Sequence, residues 1–173
     1  GASSDSYANR VGDTLSLVCE LPYFYNPQVN DESLSDMSRR EAMLKNCERA
    51  EHCCRFLREQ MDRIGGYVSR DNPFRRMIYD LVQMMGADME GKKNMLKQNP
   101  EFEKPAKVCE AFDNLYGNTF NWMVFTGLLV HMIREERKKG ELPAQMEEAY
   151  AAGMRELDAM DEYLKAHVEY EVI

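Results

Sequence analysis

The sequence predicts a mainly α protein, an antiparallel left-handed four-helix bundle preceded by a short β-strand and an irregular aromatic loop. Three observations carry this prediction. From Ser38 to His167, apolar residues recur at alternating steps of four and three, the spacing that holds one stripe of a helix against a partner. The pattern is broken by Gly65-Gly66, Asn99-Pro100 and Gly140, residue types that end helices. The intervening connections are short, which makes consecutive helices antiparallel neighbours.

Residues 1–37 differ in character from the rest of the chain. Thr14-Leu15-Ser16-Leu17-Val18-Cys19 alternates as a short strand with Leu15 and Leu17 on one face, and Pro22 ends it because proline cannot donate to a ladder. Tyr23-Phe24-Tyr25-Asn26-Pro27, continuing to Asp31, is an aromatic, turn-rich loop whose large side chains need cover.

The first bundle helix opens with Ser38 and Glu41 in capping-box spacing. Met43, Cys47, Ala50, Cys54, Leu57, Met61 and Ile64 form its stripe, and Gly65-Gly66 closes it. Asn72-Pro73 caps the second helix and fills its first position, and Ile78, Leu81, Met85 and Met89 carry the stripe towards Gln98. The third helix is expected from near Pro105, unbroken through Val108, Phe112, Leu115, Thr119, Trp122, Thr126, Leu129 and Ile133 to Gly140. Arg137-Lys138-Lys139 suit its negative end. After Pro143 the fourth helix repeats the pattern at Met146, Tyr150, Gly153, Leu157, Met160, Leu164 and His167. Residues 38–168 are thus the bundle, and 169–173 a tail in which Tyr170-Glu171-Val172-Ile173 has the composition of a short strand. Six arginines on the first helix (Arg39, Arg40, Arg49, Arg55, Arg58, Arg63) face an acidic fourth helix (Glu147, Glu148, Glu156, Asp158, Asp161, Glu162), so these two are expected side by side.

Composition narrows the function classes. At 173 residues, 44% apolar and 30% charged, the chain is long enough for a sizeable core and is not of disordered composition. A net charge of -8 argues against a nucleic-acid partner, since phosphate binding needs clustered Lys and Arg. The longest apolar run, around Trp122 to Ile133, is too short and too interrupted to span a membrane. Five cysteines, several inside helical stripes, point to a reduced, cytoplasmic setting. No signal peptide opens the sequence, and Gly1 in place of Met leaves room for an upstream segment.

The bundle offers little chemistry. A di-iron bundle needs Glu-x-x-His, and none of the three histidines has Glu three residues before it. His52, beside the apolar stripe among Glu48, Glu51 and Cys53, and His167, which closes the fourth stripe, both read as surface or capping residues. His131 and Glu135, one turn apart, have the spacing of an acid–base pair and more simply of an intrahelical hydrogen bond. The thiols lack a C-x-x-C pair for zinc, and the thirteen methionines read mainly as core. Glu20 stands out as a carboxylate ending an apolar strand, where its neighbours ask for burial.

The run Thr14-Leu15-Ser16-Leu17-Val18-Cys19-Glu20-Leu21-Pro22-Tyr23-Phe24 resembles the late strand of the M14 family of zinc carboxypeptidases, and Asn26-Pro27 through Ser38-Arg39-Arg40-Glu41 is similar to its bacterial members. The resemblance covers roughly 25 residues. It implies a zinc enzyme in which Glu20 is general base, then general acid, at a metal-bound water. The family's His-x-x-Glu zinc pair does not occur in this sequence, and its substrate-binding arginines have no counterpart. The resemblance therefore implies the C-terminal region of a carboxypeptidase-like metallopeptidase, with zinc needed only by a full-length relative. This chain alone would be inactive, its partner being the missing catalytic domain, another protein or a second copy. The alternative is a stand-alone helical interaction module without catalysis.

Overall fold

The structure is a computed structural model, and it describes residues 23–24, 33–167 and 169–170. The element order is β1 (Tyr23–Phe24), α1 (Ser33–Asp36), α2 (Arg39–Ile64), α3 (Pro73–Gln98), a 3-10 turn (Pro100–Glu103), α4 (Val108–Phe112), a π turn (Asp113–Gly117), α5 (Asn118–Arg137), α6 (Ala144–His167) and β2 (Glu169–Tyr170). Helices α2, α3, α5 and α6 form the bundle.

Local chemistry sets the helix ends. The Ser38 side chain accepts a hydrogen bond from the Glu41 backbone N–H at 3.0 Å. Asn72 Oδ1 accepts from Phe74 and Arg75 N–H groups at 2.9 and 3.3 Å, ahead of Pro73 at the first position. Arg75 then reaches back across the connection, its Nη1 donating to the Gly65 and Val68 carbonyls at 2.8 and 2.6 Å. A cation at the end of α2 thereby satisfies free carbonyls and ties the α2–α3 hairpin.

Cross-helix contacts give the directions. Cys47 Sγ lies 3.9 Å from the Met89 carbonyl and Cys54 Sγ 3.7 Å from that of Val82, so α2 and α3 run antiparallel. Arg134 with Tyr150 and Arg137 with Glu147 show the same for α5 and α6. Each of α2 and α5 touches α3 and α6, and the two also touch each other, which leaves α3 and α6 at the outer corners. Basic α2 does lie beside acidic α6: Arg63 Nε is 3.8 Å from Glu148, His52 Nε2 is 4.0 Å from Glu156, and the Arg49 guanidinium stacks over Tyr163 at 4.2 Å.

Two features differ from the sequence expectation. The third helix is not unbroken from Pro105: Pro105 bridges to Ser38, α4 begins at Val108, and the π turn separates α4 from α5. The wide turn inserts an extra residue, so adjacent residues are buried in pairs at Ala111-Phe112, Leu115-Tyr116 and Thr119-Phe120. From Trp122 to Ile133 every residue is buried, so α5 is covered all round instead of along one stripe. The second difference lies before the bundle. Leu34 on α1 and Met37 are 2% and 4% exposed within the bundle's own core, and Ala106 N–H donates to the Met37 carbonyl at 2.9 Å. Packing therefore extends upstream of Ser38. Tyr23 and Phe24 pair antiparallel with Tyr170 and Glu169 as a two-residue ladder. The expected strand at 14–19, the loop residues 25–31 and the end of the tail at 171–173 lie outside the described residues.

Small residues permit the closest approach of α5 and α6. A Cβ on Gly153 would sit 2.7 Å from Val130 Cγ2, so only glycine fits without displacement of that branched side chain. The connection between these helices turns through Gly140 at φ 158°.

Candidate functional site

Glu20, the candidate general base, lies outside the described residues, and the structure assigns it no geometry. The polar groups that the bundle does bring together fall along the seam between α2 and the α4–π–α5 segment, which run parallel. At one end of the seam Arg39 Nε meets Glu110 at 3.1 Å and Arg40 pairs with Glu103. A small cleft of about 210 Å³ opens there, lined by Arg39, Met43, Ala106, Glu110, Asp113 and Asn114. The π turn contributes Asp113 and Asn114 to its lining, and Asn114 Nδ2 donates to the Glu110 carbonyl at 2.9 Å. The cleft holds both charges, but the Arg39–Glu110 pair occupies its main cation.

About two turns further along, Asn118 Nδ2 donates to the carbonyl and to Oδ1 of Asn46 at 3.0 and 2.7 Å, and Lys92 Nζ donates to the same Oδ1 at 3.0 Å. Asn46 is 6% exposed, so this network ties α2, α3 and α5 through a satisfied buried amide. Lys92 is held in turn by Asp88 at 2.7 Å. The arrangement fixes register and leaves no reactive group.

The third group is centred on His52. Its ring contacts Trp122 of α5, centroids 4.5 Å apart and planes tilted by 55°, and its Nε2 faces Glu156 of α6 at 4.0 Å. His52 is indeed half exposed, as its acidic neighbours on α2 suggest, whereas Trp122 is buried. Burial pushes the Glu156 carboxyl above its ordinary range, against the opposing pull of His52 and Arg155. The adjacent Cys53 thiol is pushed well up by burial, and Cys54 beside it is pushed up for the same reason. Cys47 is likewise raised, chiefly by burial, so these three thiols are poor nucleophiles.

His131 and Glu135 do not make the intrahelical hydrogen bond their spacing suggests. They stand 3.9 Å apart, beyond hydrogen-bond reach. Lys138 binds Glu135 at 2.8 Å and lowers its carboxyl pKa, while His131 is buried with its ring edge-on to Phe74 at 4.9 Å. The two side chains thus face each other at ion-pair distance without a hydrogen bond between them. Among the described residues no three His, Cys, Asp or Glu side chains are grouped to hold a metal ion, and no helix is long and apolar enough to cross a membrane.

Sequence reasoning missed the Asn46–Asn118–Lys92 network and the His52–Trp122 contact. The one signal available for the first was a pair of asparagines each preceding a stripe residue, Cys47 and Thr119. For the second there was none, because 70 positions separate the two rings. No protein-family model, curated protein or solved structure matches the chain.

Proposed function

We propose that the bundle is a non-catalytic scaffold for protein interaction and that it docks through the outward flank of α3. The exposure of large apolar side chains on that helix supports this reading: Met84 is 67% exposed and Met95 48%. Met77 and Leu81, both partly exposed, fall with them inside a narrow sector of the helix at ~100° per residue. Methionine is flexible and polarisable, suited to a surface that adapts to a partner. The test is affinity capture with the wild-type chain and with Met84→Glu/Met95→Glu. Proteins held by the first and lost by the second, at equal helix content and melting temperature, are the expected result. Equal retention by both would place the interaction surface elsewhere.

A second reading is favoured by the run from Thr14 to Phe24, which resembles a zinc carboxypeptidase strand. In it the bundle is the C-terminal scaffold of a metallopeptidase whose zinc ligands lie in a separate region, and Glu20 serves the metal-bound water. Its test is zinc-dependent release of C-terminal residues from peptides by a protein extended upstream. Loss of that activity in Glu20→Gln is the expected outcome, and unchanged activity removes Glu20 from the mechanism.

A further inference from the structure

We propose that His52, Trp122 and Glu156 form a proton-responsive latch joining α2, α5 and α6, engaged when the His52 imidazole is doubly protonated. The three side chains come from three helices and converge on one ring, with Trp122 at 4.5 Å between centroids and Glu156 Oε2 at 4.0 Å from Nε2. A neutral imidazole gains no ionic attraction from the carboxylate and only ordinary ring contact with the indole. An imidazolium gains both a charge partner and a cation on an aromatic ring within the distance at which that attraction operates, ~6 Å. Histidine is the side chain whose ordinary charge change falls between about pH 5 and 8, which makes that interval the one to scan.

The surroundings favour this role. His52 is half exposed, so the proton has direct access from solvent, while its partners are withdrawn: the Glu156 side chain is 27% exposed and Trp122 7%. On α2 itself Glu48, Arg49, Glu51 and Arg55 lie within one turn of His52, with the Arg49 guanidinium stacked on Tyr163 of α6. From α6 it faces Glu156, with Arg155 acting on that carboxylate, and from α5 it faces the uncharged indole of Trp122. The neighbouring Cys53 thiol stays protonated because it is buried. Glu156 is thus the anion at the latch that comes from another helix, which makes α6 docking the step that the proton couples to.

The chain has a single tryptophan, so its indole emission comes from this contact's own Trp122. A nearby imidazolium quenches indole fluorescence more strongly than a neutral imidazole. In the full chain, Trp122 emission is expected to fall as pH is lowered from 8 to 5, with helix content by circular dichroism unchanged. His52→Gln should lose the transition, and Glu156→Gln should move its midpoint to lower pH, because the imidazolium loses its anionic partner. A flat wild-type curve, or the same curve in His52→Gln, would overturn the latch. Proton NMR titration of the histidine ring resonances in the wild type and in Glu156→Gln provides a reading that does not depend on the His52 variant. A lower His52 midpoint in Glu156→Gln supports the latch, and an identical midpoint overturns it.

Discussion

Helices α3 and α5 carry apolar stripes that look alike in the sequence, yet the bundle treats them in opposite ways. Every residue from Trp122 to Ile133 of α5 is buried, whereas the 26-residue α3 buries only Ile78, Val82, Met85 and Leu96. The cause is position: α5 packs on α2, α3 and α6, and α3 sits at a corner touching α2 and α5. Burial on one side needs one stripe of apolar residues, and burial on all sides needs an apolar segment without charge, which residues 122–133 supply. The charged residues of α3, and its exposed methionines, are tolerable because that flank meets no other bundle helix.

The comparison is most directly broken by truncating matched residues. Leu128→Ala, at a fully buried position of α5, is expected to lower stability by about 2–5 kcal/mol, while Met84→Ala on α3 should change it by less than about 0.5 kcal/mol. Chemical denaturation of the two variants measures this, and similar losses would contradict the corner placement of α3. Next in size is Gly153→Ala. The added methyl meets Val130 at 2.7 Å, so a loss of ~1–3 kcal/mol is expected, recovered in part by Val130→Ala in the double variant.

A smaller effect of opposite sign is expected inside α5. The side-chain oxygens of Thr119 and Thr126 and the Trp122 indole nitrogen are buried without a hydrogen-bond partner among the described residues. Replacing an unsatisfied hydroxyl by a methyl of similar shape removes a desolvated polar group, so Thr126→Val should stabilise the fold by up to about 1 kcal/mol. A loss in the same denaturation assay would show that the hydroxyl is satisfied after all.

The smallest effect concerns pH at the α2–α6 seam. Burial raises the Glu156 carboxyl pKa above its unfolded value, so the folded state binds this proton more tightly than the unfolded state. Its stabilising contribution is complete below the unfolded pKa and is lost as pH rises through the folded one. Glu156→Gln should therefore melt at a higher temperature than the wild type at neutral pH. The gap should close on acidification through the carboxylate range. A gap that widens in acid would reverse the assigned sign.

Much of the architecture was legible from local patterns. Ser38, Glu41, Asn72 and Pro73 mark helix starts through bonds made within a few residues, which sequence displays directly. The pairing of arginine-rich α2 with acidic α6 was legible because charge is a whole-face property. The π turn was not, since a wide turn preserves apolar residues at plausible spacing and reveals itself only through paired burial at Leu115-Tyr116 and Thr119-Phe120. Of the candidate chemistry, the exposed setting of His52 was readable from its neighbours and its tryptophan contact was not. His131 shows the converse: its spacing from Glu135 suggested a hydrogen bond, whereas the two groups stand 3.9 Å apart and the imidazole lies edge-on to Phe74.

By itself, then, the sequence determined the ends of three of the four bundle helices and where the remaining one stops, because capping and helix breaking act over a turn or two of chain. Tertiary structure alone decided where a glycine admits its neighbour and which ring His52 touches. Those outcomes depend on pairings between residues tens of positions apart, and such pairings exist only once the helices have packed.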